Sequence, residues 1–174
     1  MAFRLDDIRG NLRRGVARTS HYEMIIEGNR DITLRTLSVS APGRSISAAP
    51  TGVYGAIQEV GYTAVYAPIS AQLFCRPDHR ERKFFADWQD SIIGTARILG
   101  TGTGDRAFDV GYYKDYVKDV TIKQYDEKGK VTNTIKLIES YPRTLGELNY
   151  NYQSSELLTF TVSLQYRYYE EDAV

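Results

Sequence analysis

The chain has 174 residues, 42% of them hydrophobic and 25% charged, which suits one globular domain with a core of its own. Lysine plus arginine and aspartate plus glutamate number 22 each, so the chain has no basic surplus to grip a nucleic-acid backbone, which argues against tight DNA binding. The single cysteine, Cys75, excludes an intrachain disulfide and suits a reducing compartment.

Residues 1–18 read as an N-terminal arm. They hold no uninterrupted apolar run of the kind a secretory signal needs, and nothing downstream approaches a membrane-spanning length. Arg4, Arg9, Arg13, Arg14 and Arg18 outweigh Asp6 and Asp7 there, whereas the chain closes on Glu170, Glu171 and Asp172. The two ends are either solvated tails or complementary surfaces that meet between copies. Period-two alternation begins in HYEMIIE, with Tyr22, Met24 and Ile26 on one face, and runs on through DITLRTLSV. Then comes SVSAPGRSISAAPTGVYGA, residues 38–56, small-sided and charged only at Arg44. It reads as a long extended loop over about 40–56. Irregular segments of that length are usually functional or disordered, and disordered ones are rich in charge, so this one is expected to touch a partner. IQEVGYTAVY and ISAQLFC return to strand alternation.

In PDHRERKFFADWQDSII the spacing of Phe84, Phe85, Trp88 and Ile92 predicts one main amphipathic helix over about 77–94. Pro77 and Asp78 stand where a start and N-cap belong, with Glu81 in the capping-box position. GTGTGD, residues 100–105, reads as a connector. YVKDVTIKQY and VTNTIKLIE, joined by DEKGK, predict an antiparallel hairpin in which Gly129 takes the positive φ. LLTFTVSLQYRYYE predicts a long strand with Leu158, Phe160, Val162, Leu164, Tyr166 and Tyr168 on its buried face. The fold expected is mainly β: an antiparallel β-barrel or two-sheet sandwich carrying one helix, in a single domain over 1–174.

Sites for chemistry are scarce. His21 and His79 are too few for a histidine-rich metal site, and His79 and Glu81, two apart, do not share a helix face. Cys75 reads as a buried, inert thiol. GTGTGDR lacks the lysine and hydroxyl residue of a phosphate loop and the strand-turn-helix order around it. No catalytic, metal or cofactor residue is assigned, and no cofactor is expected. Fourteen tyrosines cluster at Tyr112, Tyr113, Tyr116, Tyr141, Tyr150, Tyr152, Tyr166, Tyr168 and Tyr169 among other positions, which fits strand propensity, subunit contacts or a sugar-stacking platform.

RKFFADWQDSI, the hairpin KDVTIKQYDEKGKVTNTIKL and YPRTLGELNYNYQSSELLTFTVSLQYRYYE occur together in an order that resembles the tail tube proteins of contractile-tailed bacteriophages. The resemblance runs from about Pro77 to Glu170, with HYEMIIEG and APGRSISAAPTGVYG as a looser match upstream. It is more distantly similar to type VI secretion needle and pyocin tube proteins. It implies hexameric rings stacked into a hollow tube, with no catalysis, through which DNA leaves the virion without specific binding. The partners it implies are further copies of the chain, a contractile sheath protein, and baseplate and tail terminator proteins. The expected location is the virion tail, assembled in the host cytoplasm.

A small-sided, low-charge arm can lie on a neighbouring subunit at little desolvation cost. Intersubunit contacts are therefore expected at Arg13, Arg14, Arg44, Ile46, Val53 and Tyr54. Thr159, Thr161 and Ser163, the polar side of the last strand, are expected to line the lumen, since short uncharged side chains do not hold a polyanion. A baseplate tube initiator and a secretion-needle or pyocin subunit are alternatives within the same class. A carbohydrate-binding β-sandwich is the alternative from another.

Overall fold

The alternating segments pair into antiparallel ladders. A computed structural model describes residues 19–29, 32, 35–52, 55, 57–94, 110–153 and 156–173. In chain order the described elements are β1 (Tyr22–Ile26), β2 (Thr36–Val39), β3 (Arg44–Thr51), β4 (Gln58–Tyr66), β5 (Ile69–Phe74), α1 (Arg80–Ile92), α2 (Tyr113–Tyr116), β6 (Lys118–Tyr125), β7 (Val131–Leu145), β8 (Thr159–Gln165) and β9 (Tyr168–Ala173). Seven strands form one sheet in the order β1-β6-β7-β8-β5-β2, with β9 also on β7, and β3 and β4 form a separate ribbon.

Strand β7 belongs to both halves of the large sheet. Asn133 to Ile138 lie between β6 and β9, whereas Tyr141 to Leu145 pair with β8. Between these stretches Glu139 takes φ 54°, a left-handed conformation that costs a non-glycine residue about 1–3 kcal/mol. Beside it the ladder breaks at Tyr166 and Arg167, where the Arg167 N–H donates to the Ile138 carbonyl at 3.0 Å. Both strands turn the same corner, so the sheet folds over into two layers. Met24, Ile26, Val120, Ile122 and Leu137 of one layer meet Ile69, Leu73, Phe160, Val162 and Leu164 of the other in a single core. Among the described residues the sheet does not close into a barrel, so the sandwich is the correct alternative. Its two ends are tied where the Tyr22 hydroxyl donates to the Thr36 carbonyl at 3.1 Å.

The corner corrects the reading of the last strand. Leu158 to Tyr166 alternate as expected, but the break shifts the phase, leaving Tyr168 exposed and turning Tyr169 onto the core. The β6–β7 hairpin forms as expected: Gly129 has φ 75°, and its N–H donates to the Asp126 carbonyl at 2.9 Å.

Helix α1 packs Phe85 and Trp88 into the core and Phe84 against it, while Ile92 is only half-buried and lies outside the core cluster. The Trp88 Nε1–H donates to the Tyr116 carbonyl at 2.6 Å, and the Lys118 ammonium lies 5.1 Å from the Trp88 ring centre. The helix begins later than its sequence signals indicate. Its N-cap is His79, at φ 53° and with no side-chain cap bond, and Asp78 pairs with Arg80 at 2.9 Å. Glu81 is no capping-box partner. It is 3% exposed, accepts the Arg76 backbone N–H at 3.2 Å, and lies 3.0 Å from Arg76 Nε and 3.9 Å from Arg35 Nε. Two guanidinium groups draw the carboxylate inward, as a buried charge requires. The connector at 100–105 lies outside the described residues.

The link after β7 turns on Gly146. Its N–H donates to the Thr161 carbonyl at 2.7 Å, and its carbonyl accepts from Arg82 Nη1 at 2.6 Å. A Cβ there would lie 2.8 Å from the Thr161 carbonyl oxygen, so only glycine lets the link lie flat on β8. Trp88→Ala is expected to destabilise the dissociated subunit by about 3–5 kcal/mol. Gly146→Ala is expected to cost about 1–3 kcal/mol. Urea unfolding of each variant measures both, and an unchanged midpoint contradicts the packing described.

Candidate assembly interface

The segment expected to be a loop is a strand. Arg44–Thr51 forms β3 and pairs along its length with β4, from Arg44 opposite Tyr66 to Thr51 opposite Gln58. Small residues conceal it in the sequence: serine and alanine lack the β-branched and aromatic signal that marks strands. Pairing with β4, rather than intrinsic preference, makes β3. Every described side chain of the ribbon is exposed except Ser47 and Tyr66, which are half-buried. Ile46 is 65% exposed and Tyr62 69% exposed, and Val60 and Val65 also face solvent. Arg44, Ile46, Ala48 and Pro50 share one face with Tyr66, Ala64 and Gly61. A Cβ on Gly61 would lie 2.7 Å from Ile46 Cγ2, so Ile46 lies across the glycine, on a face that also holds Arg44, Tyr66 and Glu59.

The ribbon continues the β2–β5 pair, from which both of its strands emerge. Ser40 closes that pair by donating its N–H to the Ser70 carbonyl at 2.9 Å. Pro42 and Pro68 then interrupt the ladder, because neither has an N–H to donate. Tyr66 anchors the root. Its ring meets Tyr166 at 6.0 Å and, edge-on, Tyr169 at 5.8 Å. Of the expected contact residues, Arg44 and Ile46 lie on the ribbon, while Arg13, Arg14, Val53 and Tyr54 lie outside the described residues.

The two layers present different outer faces. On the β2-β5-β8 layer, Ser38 pairs with Gln72, Gln72 with Thr161, and Ser70 with Ser163. The Gln72 Nε2–H donates to Thr159 Oγ1 at 3.2 Å. Thr159, Thr161 and Ser163 thus join a neutral hydroxyl and amide surface, with Thr161 the most open of the three. The other layer is charged outside: Glu23 pairs with Lys123, Lys136 with Glu170, and Thr134 with Asp172. There Asp119 lies 2.8 Å from the Lys136 ammonium and accepts the Glu139 N–H at 3.2 Å. Burial raises the Asp119 pKa, but the hydrogen bonds from Lys136 and Glu139 and the lysine charge outweigh it, leaving the carboxyl below its ordinary value.

Nothing in the described residues assembles a reactive centre. The Cys75 Sγ lies 3.2 Å from His79 Nδ1, and burial raises its pKa, which disfavours the nucleophilic thiolate. No group of three or more metal-ligating side chains occurs among the described residues. Several clustered tyrosines serve packing. Tyr113 meets Tyr116, and Tyr116 meets Tyr141, edge to face, and Tyr166 and Tyr169 meet Tyr66. Tyr112, Tyr150 and Tyr152 are exposed.

The family model described as phage tail tube protein matches residues 9–172. Among solved structures the chain is similar to one in the PVC sheath/tube terminator of an extracellular contractile injection system, with TM-score 0.66, 14% identity, and coverage of 91% of this chain and 97% of that one. It is also similar to a chain of the sheath-tube complex of that system, with TM-score 0.64, 12% identity, and coverage of 99% and 100%. A third likeness is to the tube-terminating cap of the anti-feeding prophage, with TM-score 0.64, 12% identity, and coverage of 91% and 92%. At these identities the likeness shows a shared fold along almost the whole chain. No curated protein gives a significant match.

The charged layer yields a test independent of assembly. With the Asp119 pKa lowered on folding, its stabilisation is fully present above the ordinary value of 3.8 and is lost as pH falls through the lower, folded value. Asp119→Asn is therefore expected to be less stable than the parent near pH 7 and equal to it once acid has protonated the parent carboxyl. Urea unfolding across that range checks it, and a stability difference that persists at the acid end contradicts it.

Proposed function

Because this chain belongs to the phage tail tube protein family, we propose that it is the repeating subunit of a hollow tail tube, built of hexameric rings stacked head to tail. It is a structural subunit and not an enzyme, as its family is. The observation that carries the reading is the β3–β4 ribbon, an apolar-bearing two-stranded sheet with almost no cover of its own. An isolated hairpin is marginal in water, and a neighbouring copy supplies the surface that completes it. Seating one large aliphatic side chain such as Ile46 contributes about 1.5–3 kcal/mol, repeated at every subunit of a ring. The family match favours this occupant over the carbohydrate-binding alternative.

The neutral face containing Thr159, Thr161 and Ser163 suits the lumen of such a tube. Each lysine or arginine set against a phosphate adds salt-dependent affinity that must be broken as DNA moves, and a hydroxyl surface adds none. The charged layer then faces outward, toward a contractile sheath. Baseplate and terminator proteins cap the stack, as sheath, terminator and cap assemblies are named among the structural neighbours. Assembly in the reducing cytoplasm of the host fits the unpaired, partly buried Cys75.

Ile46→Lys is expected to leave the subunit folded, with an unchanged melting temperature, and to abolish rings and tubes in negative-stain micrographs. Tubes of normal length from this variant would refute the role given to the ribbon. Thr161→Arg is expected to assemble normally and to gain DNA retention that weakens with salt; assembled tubes with unaltered DNA retention would move the lumen to another face.

A further inference from the structure

Past Phe74, at the end of β5 away from the ribbon, the surface holds a hollow of about 420 Å³. Phe74, Pro77, Leu157 and Leu158 give it apolar walls, and Leu157 is 75% exposed. Arg35 and Arg76 line it as well, and both reach the buried carboxylate of Glu81, at 3.9 Å and 3.0 Å. One carboxylate offsets one guanidinium, so the pair keeps a surplus positive charge. Each guanidinium carries five N–H donors, whereas Glu81 offers two oxygens and already accepts the Arg76 backbone N–H with one of them. Both arginine side chains remain partly exposed. The chemistry that fits such a hollow is a second carboxylate, carried beside aliphatic side chains.

The ribbon carries that combination. Its charged residues are Arg44 at the root and Glu59, opposite Pro50 and about 20 Å further out. No cation pairs with Glu59 among the described residues. Ile57, two positions on, is exposed, and Ile46 shares the Glu59 face. The ribbon leaves before Ile69 and the hollow opens after Phe74, so the two surfaces lie at opposite ends of β5. A contact between them joins different surfaces of successive copies, and it repeats instead of closing on a pair.

We propose that the hollow is a carboxylate site for a second copy of this chain, in which Arg35 and Arg76 receive Glu59 of the neighbouring ribbon and Leu157 packs beside its Ile57. Glu81 holds the two guanidinium groups in place without neutralising both. The inference rests on the tube reading for the direction in which copies follow one another, and it names the surface that receives the ribbon.

Cross-linking between separately prepared variants tests it. One chain carries Ile57→Cys and the other Leu157→Cys, both with Cys75→Ser so that no native thiol competes. Both new thiols replace exposed side chains and leave the charged groups intact. In a concentrated mixture under mild oxidation, the mixed disulfide, identified by intact mass, is expected to form at least ten-fold faster than with Thr161→Cys as the partner, an exposed thiol on the neutral face. Adding Glu59→Lys to the Ile57→Cys chain is expected to lower the rate to that of the Thr161→Cys control. Equal rates for the two partners, or a rate that Glu59→Lys leaves unchanged, overturn the proposal. Negative-stain micrographs of the parent report on the tube reading separately. Tubes without preferential cross-linking overturn this contact and leave that reading standing, whereas preferential cross-linking without tubes supports the contact and overturns that reading.

Discussion

A pair of β-strands with both faces in water has hydrogen bonds but little else to hold it, and β3–β4 is such a pair. The remaining architecture answers that constraint. The sandwich gives the ribbon a rigid base, because its two strands grow directly out of β2 and β5 and Tyr66 locks their root against Tyr166 and Tyr169. Serine, alanine and glycine keep the ribbon low, so that another surface can approach its backbone closely, and Ile46 provides one large side chain to bury. In the proposed tube, a neighbouring copy supplies the surface that a subunit shaped in this way lacks.

The corner in β7 decides what the two layers of the sandwich present on their outer faces. Glu139 accepts a strained backbone conformation there, held by the Tyr113 hydroxyl at 3.0 Å and the Arg167 guanidinium at 3.3 Å. By turning one sheet into two layers it separates a neutral hydroxyl face from a charged one. Pro142, buried beside a bulge in the same strand, adds to the bend at a place where a regular ladder would have needed its N–H. A flat sheet of the same strands would bury neither face and would not set two outer surfaces of different chemistry apart.

Most of the sandwich was legible in the sequence because its inner faces repeat large apolar residues at period two, as in Phe160, Val162 and Leu164. The helix stripe was legible from its three- and four-residue spacing at Phe85 and Trp88. Its start was not, since Pro77 and Asp78 supply every local N-cap signal while the turn begins at Arg80 and Glu81 is drawn inward by arginines distant in sequence or outside the helix. Of the ribbon, β4 was legible in the alternation of IQEVGYTAVY, whereas β3 read as an extended loop and not as a strand. Ser45, Ser47, Ala48 and Ala49 have no strand signature, and only their register with β4 creates one. The neutral face around Thr161 was visible in one strand alone; its continuation through Gln72 and Ser38 depends on pairings that a linear reading does not contain. The phase shift after Tyr166 likewise comes from a corner set by β7.

The central claim is that the ribbon acquires its cover only from neighbouring copies. Hydrogen exchange followed by mass spectrometry, on dissociated subunit and on assembled particles, measures this directly. Peptides spanning residues 44–66 are expected to exchange rapidly in the dissociated subunit and to become strongly protected on assembly, while β6, β7 and β8 stay protected in both states. Equal protection of the ribbon in the two states would contradict the account.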